Sequence, residues 1–150
     1  MDNTDRNIAA LLQRDGRLSS AEVGKAVGVS TSTANERIRK LTASGVIVDW
    51  RAVLDPDEVG ARLCAFLFVD VDYDGEAAFR DAVETMPEVQ ECHHVTGQHS
   101  YLLKLRVADT RALQTFLQDK LKPLAGITGS ETLVVLDTVK ETTVVVLDEN

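Results

Sequence analysis

The sequence predicts an α+β chain in two parts, a helical N-terminal part and a C-terminal part in which strands and helices alternate. Three observations predict it. Up to about Gly45, apolar residues recur at spacings of three and four between capping signals, the period of amphipathic helices. From Leu63 the apolar runs become short and rich in β-branched and aromatic residues, and they alternate with helical stretches in the order β-α-β-β-α-β. Charge divides near the same place. Residues 1–50 hold seven Lys/Arg against six Asp/Glu and residues 51–150 hold nine against eighteen, so the net −8 arises wholly in the second part. The expected domains are residues 1–50, a linker strand at 51–62 and a sandwich at 63–150.

A first helix is expected over residues 2–14, capped by Asp2 or Asn3, with Asp5 in its first turn and Ile8, Leu11 and Leu12 inward. Asp15-Gly16 ends it. Ser19-Ser20-Ala21-Glu22 reads as a capping box, followed by a helix with Ala21, Val23 or its neighbour, and Val27 inward and Gly28 as its left-handed stop. Ser30 caps the third helix, whose buried stripe is Ala34, Ile38 and Leu41 and which Gly45 terminates. At 100° per residue its opposite face holds Ser32, Asn35, Glu36, Arg39 and Lys40, with Arg37 at the edge. Two helices joined by the tight turn Gly28-Val29-Ser30, the second with a polar and basic free face, have the sequence form of a helix-turn-helix that reads double-stranded DNA. Taken alone, such a face is equally a solvated helix surface; the preceding helix and the glycine turn favour recognition. Ser30, Thr31 and Thr33 at the helix start would then offer hydroxyls and backbone N–H groups to phosphates. Ser32, Asn35, Glu36 and Arg39 would reach base edges in the major groove, and Arg37 and Lys40 would meet phosphates, with Arg17 and Lys25 either outer phosphate contacts or free surface charges.

Val46–Leu54 is β-prone and is stopped by Asp55-Pro56. A lone strand must pair, and pairing with its own copy across a two-fold axis would place the linker, and Trp50, at a dimer junction. Beyond it, a strand over Leu63–Val71 precedes a helix from Gly75 to Met86 with Phe79, Val83 and Met86 inward. Strands over Val89–Thr96 and Tyr101–Val107 form a hairpin about Gly97–Ser100. A helix over Thr110–Lys122 buries Leu113, Phe116, Leu117 and Leu121, a fourth strand spans Ile127–Leu136, and Thr142–Leu147 is an edge strand or a tail. This order is that of a ferredoxin-like sandwich, whose helix-free face needs a cover, most simply another subunit.

No apolar run reaches the length of a membrane span and the N-terminus lacks the pattern of a signal peptide, so the expected location is the cytoplasm, without a membrane partner. Cys64 and Cys92 follow no paired spacing and are read as reduced thiols. His93 and His94 are neighbours on a strand and point to opposite faces, so both cannot ligate one ion. Cys92, His94 and His99 could converge across the turn, but no carboxylate completes the set, and no metal site is expected. One histidine of the pair is expected at a subunit interface and the other in the core or near a pocket. No nucleophile–base–orienter set, phosphate-binding glycine loop or paired acids are evident, so neither an enzyme nor a cofactor is expected.

The strings Asp2–Gly16 (DNTDRNIAALLQRDG), Ser19–Gly45, Arg51–Pro56 (RAVLDP), Glu91–Leu103 (ECHHVTGQHSYLL) and Val139–Thr143, in this order and spacing, resemble the Lrp/AsnC family of feast/famine transcriptional regulators over nearly the whole chain. The resemblance implies a winged-helix-like helix-turn-helix and a C-terminal domain for dimerisation and amino-acid sensing. It also implies a homodimer that assembles to a tetramer or octamer, with a small effector bound between dimers. The chain departs from the family at Thr31, where many relatives have proline, and at Ser100, where the sensing loop usually has aspartate before its aromatic residue. Effector contacts implied by the resemblance are Thr96, Gly97, Gln98, His99, Ser100 and Tyr101; Ser130 and Thr132 are candidate partners from a neighbouring subunit or, equally, exposed strand hydroxyls. The function implied is that of a sequence-specific DNA-binding regulator whose oligomer state or geometry responds to a small effector, an amino acid. Its alternatives are a constitutive architectural DNA binder and a metal-responsive repressor.

Overall fold

The computed structural model describes residues 1–147. It divides into two compact units, one of residues 1–53 together with residues 140–147, the other of residues 54–139. Of the sandwich expected over 63–150, residues 140–147 group with the N-terminal unit.

In the N-terminal unit, α1 spans Asn3–Leu12 with Asp2 as N-cap, its carboxylate accepting the Asp5 N–H at 2.8 Å. α2 spans Ser20–Val27 and has the complete capping box: Ser19 Oγ accepts the Glu22 N–H, and Glu22 accepts the Ser19 N–H at 2.8 Å. Gly28 closes it at φ 76°, a left-handed conformation that glycine adopts without strain. α3 spans Thr31–Ala43 from its cap Ser30. Ile8, Leu12, Val23, Ala34 and Leu41 form the core, with Val27 and Ile38 against it. Ala21, expected inward, is exposed, because it lies about 200° from Val23 around the helix and a two-turn helix buries one narrow stripe. Gly24 is buried in its place, where an added Cβ would stand 2.8 Å from the Val29 carbonyl oxygen.

The strand expected at Val46–Leu54 and 51–62 is absent among the described residues. The Val46 and Ile47 N–H groups both donate to the Leu41 carbonyl and close the end of α3, and Val48 and Val53 beyond them are exposed. A strand needs a paired ladder, and the described residues of one chain supply none. Trp50 remains 46% exposed and lies against Gly16. Of the two readings of Thr142–Leu147, the structure has the tail.

In the second unit, β1 (Leu63–Val71), α4 (Glu76–Glu84), β2 (Val89–His94), β3 (Tyr101–Val107), α5 (Thr110–Thr115) and β4 (Ile127–Val134) follow the expected order. α5 runs on into a π-helical turn over Phe116–Leu121. The sheet is antiparallel in the order β2-β3-β1-β4, leaving β2 and β4 as edges. Residues paired across antiparallel strands share a face, so the register separates two faces. Ala65, Leu67 and Val69 of β1 and Tyr101, Leu103 and Leu105 of β3 face the helices, burying Phe79, Val83, Leu113, Phe116 and Leu121. The other face presents Phe66, Phe68, Leu102 and Leu133 among Glu91, His93 and Lys104. Gly75 and Gly126 let the start of α4 approach the turn before β4, for a Cβ on Gly75 would collide with the Gly126 Cα.

Candidate nucleic-acid interface and ligand cleft

The start of α3 is a cluster of hydroxyls. Ser30 Oγ accepts the Thr33 N–H at 3.1 Å and lies 3.0 Å from Ser32 Oγ and 2.8 Å from Thr33 Oγ1. This cap fixes the first turn and leaves backbone N–H groups at the helix start directed outward, the arrangement that receives phosphate oxygens. Thr31, Ser32, Asn35, Glu36, Arg39 and Lys40 are all exposed. Among the described residues, Asn35, Glu36, Arg39 and Lys40 make no side-chain hydrogen bond or ion pair, so their polar atoms are available to a ligand.

Arg37 is different. Its guanidinium turns back to α1, where Nη1 donates to Asp2 Oδ2 at 2.6 Å and to Asp5 Oδ1 at 2.8 Å. Asp5 is the buried charged residue of the core, 6% exposed. Hydrogen bonds to Asp2 and Asp5 raise the Arg37 pKa, and the Arg37 hydrogen bond, with that from the Asp5 N–H, holds the Asp2 carboxyl below its ordinary range. The structure thus gives the guanidinium expected at a phosphate a different task, bracing α1 against α3. Sequence reasoning placed Asp5 only in its own helix's first turn, because no local spacing signals a pair 32 residues apart.

In the second unit the hairpin loop closes through the Val95 N–H to the Ser100 carbonyl. Thr96, Gly97 and Gln98 are exposed at its tip, with Gly97 at φ 122°. The His99 ring stacks on Phe68 with centroids 5.0 Å apart. Its Nδ1 lies 3.1 Å from Asp70 Oδ2, and its Nε2 lies 3.6 Å from Glu131 Oε2. The Ser100 N–H donates to Asp70 Oδ1 at 3.3 Å, so the loop, lacking a carboxylate at Ser100, is met by one from β1.

Tyr101 points to the other, helix-bearing face. Its hydroxyl donates to Glu76 Oε1 at 2.5 Å and accepts from Arg80 Nε at 2.7 Å, while its ring meets Phe79 and stacks with His94, both at 4.9 Å. The Tyr101 hydroxyl, then Arg80, hold the Glu76 carboxyl below its usual range, and burial pushes the tyrosine up. Beside this network is a cleft of about 450 Å³ between α4 and β2, with Arg80 and His94 as polar walls and Val83, Val89 and Cys92 as apolar ones. That volume falls among those of small-molecule sites. Burial pushes the Cys92 thiol up, away from a reactive thiolate. His93 takes the opposite face, its Nε2 3.3 Å from Glu91 Oε2.

Ser130 and Thr132 pair with Val69 and Leu67, on the helix-bearing side of edge strand β4. One protomer therefore does not bring them to His99, which lies over the other face. The loop's actual neighbours, Asp70, Glu131, Glu76 and Arg80, escaped sequence reasoning because only the strand register brings them there.

A helix-turn-helix with an exposed polar face on its second helix, joined to an αβ sandwich that carries a shallow open cleft, is the architecture of a DNA-binding regulator with a ligand-binding domain. Residues 1–42 match the AsnC-type helix-turn-helix domain and residues 64–145 the Lrp/AsnC ligand binding domain. The chain belongs to the Lrp/AsnC family, whose members are transcriptional regulators and not enzymes. It is 39% identical over 144 residues to the leucine-responsive regulatory protein of Escherichia coli, covering 94% of this chain and 88% of that protein. Among solved structures, a transcriptional regulator of Neisseria meningitidis in complex with L-methionine superposes with a TM-score of 0.91 at 32% identity, covering 95% of this chain and 94% of that one. AsnC of Escherichia coli does so with a TM-score of 0.88 at 29% identity, covering 96% and 97%. No helix among the described residues is long and apolar enough to cross a membrane.

Proposed function

We propose that this protein is an amino-acid-responsive, sequence-specific regulator of transcription, acting on DNA in the cytoplasm as a homodimer that assembles to a tetramer or octamer. The observation that supports DNA reading most strongly is the exposed face of α3, on which Asn35, Glu36, Arg39 and Lys40 have no side-chain partner among the described residues. On it Ser32, Asn35, Glu36 and Arg39 address base edges. Lys40 and the hydroxyl start at Ser30, Thr31 and Thr33 address phosphates, and Arg37 serves the fold. Two such helices in a dimer would enter successive major grooves roughly 34 Å apart. The near-neutral charge of residues 1–50 makes pairing two copies part of the affinity.

An amino acid as effector is supported by the ligand-binding-domain match and by relatives described as leucine-responsive or solved with L-methionine. It would be read at the loop Thr96–Tyr101 and the cleft that Tyr101 borders, with Ser130 and Thr132 contributed by another subunit. Its binding would alter how dimers associate, and through that the affinity for spaced half-sites. The test is selection of genomic DNA fragments by the purified protein, with and without a mixture of the twenty amino acids. A shared motif whose enrichment shifts with the amino acids is expected. Fragments without a common motif would instead indicate an architectural binder, and a motif indifferent to amino acids but sensitive to a chelator would indicate a metal-responsive one.

A further inference from the structure

Residues 140–147 follow the sheet of the second unit, after β4, yet they group with the helical unit. Gln13 fixes Val145 in that unit. Gln13, the C-cap residue of α1, donates from Nε2 to the Val145 carbonyl at 2.9 Å and accepts the Val145 N–H on Oε1 at 3.1 Å. A single carboxamide thus makes both hydrogen bonds that a neighbouring strand would make, across a separation of 132 residues. The opposite end of the same helix is pinned to the recognition helix, through Asp2 and Asp5 to Arg37. A continuous path therefore runs from β4 along the tail to Gln13, through α1 to the Arg37 brace, and into α3.

We propose that this tail is a second tether, beside the linker, through which the state of the ligand-binding unit reaches the DNA-reading helix, with Gln13 as its positioning residue. The inference rests on the effector-responsive reading above. The two bonds lie at the surface, where Val145 is 61% exposed, so water competes for them and the clip opens readily. A contact that weak lies within reach of ligand-driven coupling, which typically amounts to about 5–150-fold in affinity. A tail buried in a core would not be switchable on that scale.

Full-length Gln13→Ala and Val145→Pro variants test the tether, the first removing both bonds from the side chain and the second the backbone N–H. Neither position is in the core, and thermal melting checks that both variants fold as the wild type does. Three quantities are read: hydrogen exchange of residues 142–147, amino-acid binding by calorimetry with each of the twenty, and the ratio of DNA dissociation constants without and with the amino acid that binds. In Gln13→Ala the tail amides should exchange freely and amino-acid binding should stay within twofold of wild type. In both variants the ratio should fall at least fivefold or reach one. A ratio equal to wild type in the variants overturns the tether, as does a tail that stays protected in Gln13→Ala. A wild-type protein whose DNA affinity no amino acid changes removes the effector-responsive reading itself, and the tether with it.

Discussion

Arg37 shows how a residue of the right type on the right helix can be committed elsewhere. Its two short bonds to Asp2 and Asp5 neutralise a carboxylate that the core has partly desolvated. Removing the arginine leaves Asp5 without its cation, so Arg37→Ala should lower the melting temperature by about 5 °C, measured by circular dichroism, before any effect on DNA is considered. The pH dependence has a definite sign. The folded Asp2 pKa lies below its ordinary value of 3.8, so the stabilisation is fully present above that value and is lost as pH falls through the depressed one. Melting temperature followed from pH 7 down to pH 2.5 should therefore decline on the acid side, and less steeply in Arg37→Ala. Arg39, exposed and unpaired, is the contrasting case: its loss should spare stability and weaken DNA binding.

Elements were legible where their signals are local. Capping residues and apolar spacing place α1, α2 and α3 within one or two residues of their observed ends, because each helix satisfies its own backbone. The linker was not legible in the same way. Val46–Leu54 has the composition of a strand, but composition does not say whether a partner edge exists, and in one chain the described residues offer none. Likewise Ser130 and Thr132 could be placed on a strand but not on a face, since that depends on register with β1. The packing of the helical unit gives a direct check. Leu41 is 3% exposed between the other two helices, so Leu41→Ala should cost about 2–5 kcal/mol in urea denaturation, enough to unfold a small helical core.

At the scale of the molecule, the proposed function calls for more than one chain. The helix-free sheet face carries Phe66, Phe68 and Leu102, each half-buried, beside the exposed Leu133, and a second copy is the expected cover. Phe66→Glu should shift the proposed dimer to monomer in analytical ultracentrifugation and weaken DNA binding at the same time, because the proposed mode of reading uses two helices together. The charge division agrees with this arrangement: the acidic second part discourages nonspecific contact with DNA, while the near-neutral first part approaches it. DNA reading is the role proposed for the exposed face of α3. It is tested most directly by fluorescence anisotropy titration of a selected operator fragment with wild type and Arg39→Ala, at 50 and 200 mM salt. Wild-type affinity should fall at least about tenfold between the two salt concentrations, as counterion release requires. Arg39→Ala should bind the operator about tenfold or more weakly at either, with an unchanged melting temperature. Affinity that is flat in salt, or an Arg39→Ala protein that binds the operator as wild type does, would contradict it.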